Sequence, residues 1–492
     1  MTSSQIEALP NDILGQVSKH LSWSDRSICR TFSRTIENMT LSLRFEGDDI
    51  ELRLPETVLE QCTSLDLSKF NGTIDPIHLS KCKNIRYLDI SSRASLENRE
   101  GCRKFVDLKG LVDMTNLTSL NLAGCCAITH IMPLATCTSL TSLDLSYCSG
   151  LRDVDELKSC TRLTQLILNQ CTCVRDIYSL KACTKLQELD MSGLKIYDLD
   201  SLNFLSLTSL NLKGCKGIDD IDPIRGHTSL RFLNLNDCYH LSSIDALNGI
   251  TSLTHLDIGD CSEIHDINPI QASASSLTFL NLNSIPATDI SLLKYCTNLV
   301  SLNMIDVSSI SDFNPLRACS SLTSLNLQGC VSMQDIEHLE DCTKLEFLNI
   351  SICNFEHITP LGRCINLREL DMESCGVVDI SPLASCTALE ILNITQCQDI
   401  NDISPLSNCT VLREIHMECC NVNDISPLAS CTALEILNIN HCMNITDISP
   451  IANCSLLKTL YSMETGITDL SPLKKCKLLT VVEFEIYEEN DE

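Results

Sequence analysis

The chain of 492 residues is poor in aromatic side chains and holds a single tryptophan. Phe, Trp and Tyr make up 4% of it and apolar residues 44%, so the core must be aliphatic. Basic charge is also scarce, because 36 Lys and Arg stand against 64 Asp and Glu, a net charge of −28. Binding to nucleic acid or to an anionic membrane surface needs a basic face, so this balance argues against both partners.

No apolar run approaches the roughly twenty residues that a membrane-spanning helix needs. The first residues, Met1 to Gln5, have neither a basic start nor an apolar stretch, so we expect no secretory signal. We therefore expect the protein in the cytoplasm or nucleus, where thiols stay reduced. Motifs of serine hydrolases, zinc proteases and phosphate-binding loops are also missing, so we expect no catalytic residues, no cofactor and no enzymatic activity.

What the sequence has in abundance is one repeated segment. Segments such as Leu117-Thr-Ser-Leu120-Asn-Leu122 recur down the chain, and we call the middle leucine of each the marker. From Leu120 to Leu460 there are 340 residues over 15 intervals, or about 22.7 residues per rung. Nineteen markers follow this pattern: Leu65, Leu88, Leu120, Leu143, Leu166, Leu189, Leu210, Leu233, Leu256, Leu280, Leu302, Leu325, Leu348, Leu370, Leu392, Ile415, Leu437, Leu460 and Val482.

This period and the Leu-x-x-Leu-x-Leu-x-x-Cys pattern resemble the leucine-rich repeat over roughly residues 50–486. The alternation puts the leucines of each short strand on one face, and a single rung cannot bury them unless other rungs stack on it. The resemblance implies an α/β solenoid of the horseshoe type. Its parallel sheet would form the concave side, and short helical or 3-10 turns would form the convex side.

The returning half of each rung is also regular. An aspartate, such as Asp379 in Asp379-Ile-Ser-Pro382-Leu383, recurs in thirteen rungs from Asp153 to Asp469 and can accept a backbone N–H at the start of a short helix. Ten of the fourteen prolines follow this slot by two or three residues, where a fixed φ favours a helical turn.

Cysteine appears 31 times, and 25 of these residues occupy two repeat positions. Twelve lie five residues after a marker and thirteen lie six residues before the next one, so we expect them to be buried thiols. Close groups suggest zinc at first, but one member of each is a repeat cysteine and no Cys-x-x-Cys pair occurs, so we predict no metal site. These groups are Cys125-Cys126, Cys171 with Cys173, and Cys419-Cys420.

The residue after the marker is Asn or Asp in fifteen of the nineteen rungs. On a parallel sheet these side chains form a column. In one interpretation the column fixes the register of the rungs through amide-to-carboxylate or amide-to-amide hydrogen bonds. In the other it forms a long anionic binding strip. We favour the first, because a binding function rarely repeats so uniformly.

Residues 1–40 differ from the rest, since their four acidic and four basic residues cancel and no repeat is present. The segment Leu9-Pro10-x-x-Ile13-Leu14-x-x-Val17-x-x-x-Leu21 resembles the opening of an F-box, and Ile28-Cys-Arg-Thr-Phe32 resembles its close. Phe32 replaces the usual tryptophan, and the middle of the motif is about four residues short. The alternative is that this helical segment only caps the open end of the solenoid.

The resemblance to F-box proteins implies an adaptor that joins a protein target to a cullin-based (SCF-type) ubiquitin ligase. By matching position, its Skp-type linker would contact Leu9, Pro10, Ile13, Leu14, Val17 and Leu21. Two other interpretations remain open. One is a cytosolic scaffold or a regulator resembling the phosphatase regulatory subunits. The other, a secreted recognition protein of the internalin type, is disfavoured because we expect no signal.

Specificity for a target should lie where the repeat does not dictate the residue, namely one residue before and three after each marker. We predict an aromatic row on three successive rungs and two acidic rungs that favour a basic target segment. The predicted target-binding residues are Phe232, His255, Phe279, Glu369, Asp371, Glu373, Glu414, His416 and Glu418. A solvated acidic face is the alternative interpretation of the two acidic rungs.

The predicted organisation is an F-box-like segment over residues 1–40, a solenoid over 41–486 and an acidic tail over 487–492. Residues 91–112 lengthen one rung by about nine residues, with basic residues that make either a contact loop or a tolerated insertion.

Overall fold

The computed structural model describes residues 41–47, 60–70, 79–92 and 108–484, and the chain divides into two compact units, Met1–His240 and Leu241–Glu492. Both units are built from very short parallel strands that alternate with 3-10 helices. Each rung therefore contributes one strand to a sheet and one helical turn to the opposite side.

The described part of the first unit contains nine strands, which pair in chain order. They are β1 (Leu41–Gly47), β2 (Cys62–Phe70), β3 (Tyr87–Asp89), β4 (Ser119–Asn121), β5 (Ser142–Asp144), β6 (Gln165–Ile167), β7 (Glu188–Asp190), β8 (Ser209–Asn211) and β9 (Phe232–Asn234). Its 3-10 helices are η1 (Leu108–Leu111), η2 (Met132–Thr136), η3 (Asp155–Ser159), η4 (Tyr178–Ala182), η5 (Asp200–Phe204) and η6 (Asp222–Ile224). Strand β1 precedes the nineteen marked rungs and pairs with β2.

The described part of the second unit contains eleven strands, also paired in chain order. They are β10 (His255–Asp257), β11 (Phe279–Asn281), β12 (Ser301–Asn303), β13 (Ser324–Asn326), β14 (Phe347–Asn349), β15 (Glu369–Asp371), β16 (Ile391–Asn393), β17 (Glu414–His416), β18 (Ile436–Asn438), β19 (Thr459–Ser462) and β20 (Val481–Phe484). Its 3-10 helices are η7 (Asp245–Leu247), η8 (Asn268–Ser273), η9 (Ser291–Tyr295), η10 (Asn314–Ala318), η11 (Glu337–Leu339), η12 (Thr359–Arg363), η13 (Ser381–Ser385), η14 (Ser404–Asn408), η15 (Ser426–Ser430), η16 (Ser449–Asn453) and η17 (Ser471–Lys475).

The marker leucines align across the strands. Leu280 lies opposite Leu302, and Leu302 opposite Leu325. Eighteen of the nineteen markers are at most 2% exposed, whereas the last, Val482, is 43% exposed. The residues on either side of a marker lie on the other face of the sheet, which we call the open face. The predicted parallel sheet and aliphatic core are thus confirmed.

The aspartates and prolines of the returning half start the 3-10 helices as predicted. Asp379 directly precedes the N-cap residue Ile380 of η13. Its carboxylate accepts the backbone N–H of Ser381, the first residue of that helix, at 2.7 Å. Twelve of the thirteen aspartates accept such a bond two residues ahead. Proline occupies the first or second helical position in ten helices.

The repeat cysteines are buried and tie each rung to the one before it. In the slot five residues after the marker, ten of twelve thiols donate to a strand-end carbonyl of the preceding rung at 2.9–3.3 Å. In the other slot, ten of thirteen donate to a helical Leu or Ile carbonyl of the preceding rung at 3.3–3.7 Å. All 29 cysteines among the described residues are free thiols.

Burial sets how these thiols respond to pH. It raises the pKa of Cys215 and of Cys342 to about 12, and most other slot thiols shift upward for the same reason. Unfolded cysteines lose their protons near pH 8.5, so above about pH 7.5 the unfolded chain holds fewer protons than the folded one. This contribution to stability is complete below that pH and is lost as the pH rises toward 12.

We predict that the free energy of unfolding begins to fall near pH 7.5 and falls most steeply above about pH 8.5. Urea unfolding followed by circular dichroism, at pH values on both sides of about 8.5, measures the free energy of unfolding. The triple variant Cys397→Ala, Cys420→Ala, Cys442→Ala removes three adjacent buried thiols and should show a shallower fall. An unchanged slope in the triple variant would contradict this explanation.

Candidate functional site

The open face of the sheet carries the nine residues that the sequence assigned to target binding. Eight of them are half-buried and Glu369 is exposed, while the markers between them are buried. They occupy strands β9, β10, β11, β15 and β17 or the two residues that follow β15 and β17. The pleat therefore presents these side chains to solvent without removing them from the packed sheet.

The aromatic residues of the predicted row lie at the same strand position. In the second unit the rings of His255 and Phe279 stack with centroids 3.9 Å apart and planes 5° from parallel. Burial lowers the pKa of His255 from its ordinary value, which favours the neutral, stacking form of the ring. In the first unit Phe232 begins β9 and is half-buried. Phe347, which is 41% exposed, occupies the same position at the start of β14, but the sequence analysis did not predict it as a binding residue.

The first acidic rung surrounds β15. Asp371 accepts the backbone N–H of Glu373 at 3.1 Å and the side-chain amide of Asn349 at 3.3 Å. Glu373 in turn accepts the side-chain amide of Asn393, also at 3.3 Å. Neutral amides therefore hold both carboxylates in place and leave their negative charge uncompensated.

The second acidic rung follows β17 and extends further than the sequence predicted. Glu414 lies 3.9 Å from His416 on the same strand. The imidazole of His441, three residues beyond β18, lies 3.9 Å from Glu418 and 3.0 Å from Glu464. The contribution of His441 and Glu464 was not predicted, because it depends on which side chains of adjacent rungs meet.

A ladder of ion pairs runs beside these carboxylates, two residues before the markers. The guanidinium of Arg368 lies 2.6 Å from Glu390, and that of Arg413 lies 3.0 Å from Glu435 and 4.0 Å from Glu390. Lys458 completes the ladder with Glu435. The basic residues of these rungs thus neutralise a column at the edge of the strands rather than the open face.

The negative charge of the protein is concentrated in the second unit. Residues 241–492 hold 34 acidic and 10 basic residues, a net charge of −24. Residues 1–240 hold 30 acidic and 26 basic residues, a net charge of −4. Because five of those ten bases contact carboxylates beside the strands or on the helical side, the open face of this unit is strongly acidic.

The Asn/Asp column has a structural role. In fourteen of its fifteen rungs the side-chain oxygen accepts the backbone N–H two residues ahead, which turns the chain at the end of the strand. Amide-to-carboxylate bonds also link neighbouring rungs, as from Asn281 to Asp257 at 2.8 Å and from Asn211 to Asp190 at 3.0 Å. This confirms the predicted ladder.

The residue four positions after the marker adopts a left-handed conformation in all sixteen rungs from Gly124 to Glu464. Twelve of these residues are not glycine, and their φ angles lie between 52° and 65°. Side chains in this column line the edge of the sheet where the strands end. No residue type marks this column in the sequence, because Tyr, Gln, Asp, Ser, Ile, Cys, His and Glu all occur there beside Gly.

The close cysteine groups do not converge on a metal site. Cys125, Cys171 and Cys420 are buried repeat thiols, whereas their neighbours Cys126, Cys173 and Cys419 point toward solvent to different degrees. Within the described residues no group of three or more His, Cys, Asp or Glu side chains is placed to hold a metal ion. No helix in that part of the chain has the length and apolarity needed to cross a membrane.

Three sets of predicted residues lie outside the described residues. These are the whole F-box-like segment, with Leu9, Pro10, Ile13, Leu14, Val17 and Leu21, most of the 91–112 insertion, and the acidic tail 487–492. All three stay predictions from the sequence.

Comparison with known proteins agrees with this geometry. Sequence models described as leucine-rich repeats match residues 228–272, 365–408, 113–129 and 136–154. No curated protein matches the chain significantly.

Three of the similar solved structures come from bacteria. An internalin (inlF) of Listeria monocytogenes is 25% identical over 64% of this chain and 84% of its own, with a TM-score of 0.50. The functional domain of InlJ from the same species, which includes a cysteine ladder, is 20% identical over 75% of this chain and 71% of its own, with a TM-score of 0.53. A leucine-rich-repeat protein of Leptospira interrogans is 15% identical over 88% of this chain and 99% of its own, with a TM-score of 0.60.

The bond between Asn281 and Asp257 gives a testable prediction. Both side chains are at most 9% exposed, so Asn281→Ala leaves a buried carboxylate without its amide donor and should lower the free energy of unfolding by about 1–3 kcal/mol. The control is Asn326→Ala, which removes the same turn bond to Gln328 at a half-buried position. Urea unfolding should show a clearly smaller loss for the control, and equal losses would contradict a role for the cross-rung bond.

Proposed function

Because the chain is a leucine-rich-repeat protein, we propose that it is a non-enzymatic interaction scaffold that holds a protein partner against the open face of its sheet. The observation that carries this proposal is the contrast between the columns. The marker, cysteine and aspartate positions repeat, whereas the positions one residue before and three residues after each marker differ from rung to rung. Variable side chains on a rigid repeated framework suit recognition of one particular surface.

We propose that the second unit binds a basic segment of this partner. The carboxylates of Glu369, Asp371, Glu373, Glu414 and Glu418 lie on its open face, and amides and histidines are their close neighbours there. A cationic segment would pair with charges that the protein itself leaves uncompensated, and the net charge of −24 would steer it toward this face.

Charge reversal on this face tests the proposal. The double variant Glu369→Lys, Glu414→Lys should weaken binding of an acetylated Arg-Ser repeat peptide by at least about tenfold, measured by fluorescence anisotropy at low salt. The control, Glu337→Lys with Asp341→Lys at η11 and just after it, changes the net charge equally but lies on the helical side. An equal loss in both variants would show that only the total charge matters and would refute the proposed location.

We also propose an adaptor role in which residues 1–40 dock on the Skp-type linker of a cullin-based ubiquitin ligase. Support comes from the F-box-like spacing of Leu9, Pro10, Ile13, Leu14, Val17 and Leu21, since helices bind grooves through such i, i+3, i+4 anchors. The free thiols of the repeat support a reducing compartment, the cytoplasm or nucleus. The competing proposal is a scaffold or phosphatase-regulator-like protein whose first forty residues only cap the solenoid.

Co-expression with a Skp-type linker separates these two proposals. The adaptor role predicts that the linker co-purifies with the wild-type chain and that Leu14→Asp or Val17→Asp lowers its recovery at least about tenfold. Gln16→Asp adds the same charge between these two positions and should leave recovery unchanged. If no linker co-purifies with the wild-type chain, the adaptor role is refuted and the scaffold proposal remains.

A further inference from the structure

A cleft of about 550 Å³ lies at the edge of the first unit where strands β6 to β9 end. Residues four to nine positions after four successive markers line it, so it belongs to the turns and not to the open face. Its volume falls within the roughly 300–1,000 Å³ typical of small-molecule sites.

Glycine creates the cleft. In the left-handed column Gly193 and Gly214 follow each other on adjacent rungs, while Gln170 and Asp237 flank them with full side chains. The side-chain amide of Gln170 lies over Gly193, where a Cβ would come within 2.3 Å of its nitrogen, so the opening is at Gly214. A Cβ on Gly214 would meet the carboxylate of Asp237 at 3.6 Å and the backbone of Gly193 at 3.9 Å, so the space above it is open. The intervening rung, from Leu189 to Leu210, is also shorter, at 21 residues against 23 on either side.

The walls of the cleft combine polar side chains with one flat aromatic surface. Tyr197 is 70% exposed and packs close to the next rung, because a Cβ on Gly217 would come within 2.8 Å of its ring. Lys216 lies 3.4 Å from Asp237 and 4.5 Å from the ring of Tyr239, so its charge is already matched.

The charges in the walls cancel. Lys195 and Lys216 balance Asp219 and Asp237, which leaves no net field to select an ion of either sign. An apolar ligand would bury these donors and acceptors without partners, at a cost for each group. The cleft thus calls for an uncharged ligand that carries hydrogen-bonding groups along its edges and a C–H face that can lie on an aromatic ring.

We propose that this cleft is a binding site for a neutral saccharide, either free or attached to a protein partner. Hydroxyl groups both donate and accept, and can satisfy Gln170, Lys216 and Asp237 together, while a sugar face packs on Tyr197. The bare backbone of Gly214 lets a ring approach the floor of the cleft. This site goes beyond the proposed scaffold function and does not depend on it.

Filling the cleft tests the proposal. Gly214→Asn places a side chain in the open space at a position whose left-handed conformation twelve other rungs accept with ordinary residues, so the fold should be kept. The control is Gly329→Asn, at the same position of a rung in the second unit, where the flexible carboxylate of Asp306 has to rotate aside. Tyr197→Ala removes the aromatic wall. Thermal melting checks that each variant is folded.

The probes are maltotriose, cellotriose, chitotriose and mannotriose, measured by calorimetry and saturation-transfer NMR up to about 10 mM, where roughly millimolar binding is detected. We expect at least one to bind and Gly214→Asn and Tyr197→Ala to weaken it at least about tenfold, with Gly329→Asn unchanged. No binding by any probe, or equal binding to Gly214→Asn, would overturn the proposal. Preference for a charged saccharide or for an uncharged Gly-Ser-Tyr peptide would overturn the ligand class.

Discussion

The alignment of one buried leucine with the next is the constraint on which the structure depends. Most strands are three residues long, and the middle residue of each is the buried one. A slip of one residue would turn every marker out to the open face, so hydrophobic burial fixes the register of each pair of strands. Once that register is set, every other repeat position forms a column. Asparagines meet carboxylates and arginines meet glutamates on the next rung without further adjustment.

Stacked rungs bury backbone carbonyls in an aliphatic core, and the cysteine columns supply hydrogen-bond donors to these carbonyls. An unpaired carbonyl there costs free energy, and a thiol is a small donor that can be buried cheaply. His227 supports this explanation, since it occupies a cysteine slot, is 6% exposed and has backbone hydrogen bonds to Ile224 and Leu202. Its burial lowers the pKa of its imidazole, so the neutral ring takes the place of the thiol.

Sequence reasoning reached the features that one rung determines by itself. The markers, the cysteine slots, the aspartates such as Asp379 and the helix-starting prolines all follow from spacing, and the structure confirms them. The features it missed depend on two rungs at once. Neither Arg413 beside Glu435 nor the contact of His441 with Glu464 has a signature within a single repeat. Strand β1 was missed for a different reason, since a single Leu-Ser-Leu segment lacks the cysteine and aspartate that mark the later rungs.

The same division explains where binding sites can arise on such a protein. Residues that maintain the stack must repeat, so a site can appear only where a column tolerates change or is interrupted. Glu369 and Glu414 represent the first case, because the residue before the marker does not pack in the core. Gly214 represents the second, because its missing side chain opens a gap in a column that is otherwise filled on most rungs. The acidic face and the neutral cleft therefore follow from one rule, and their opposite electrostatics suit different ligands.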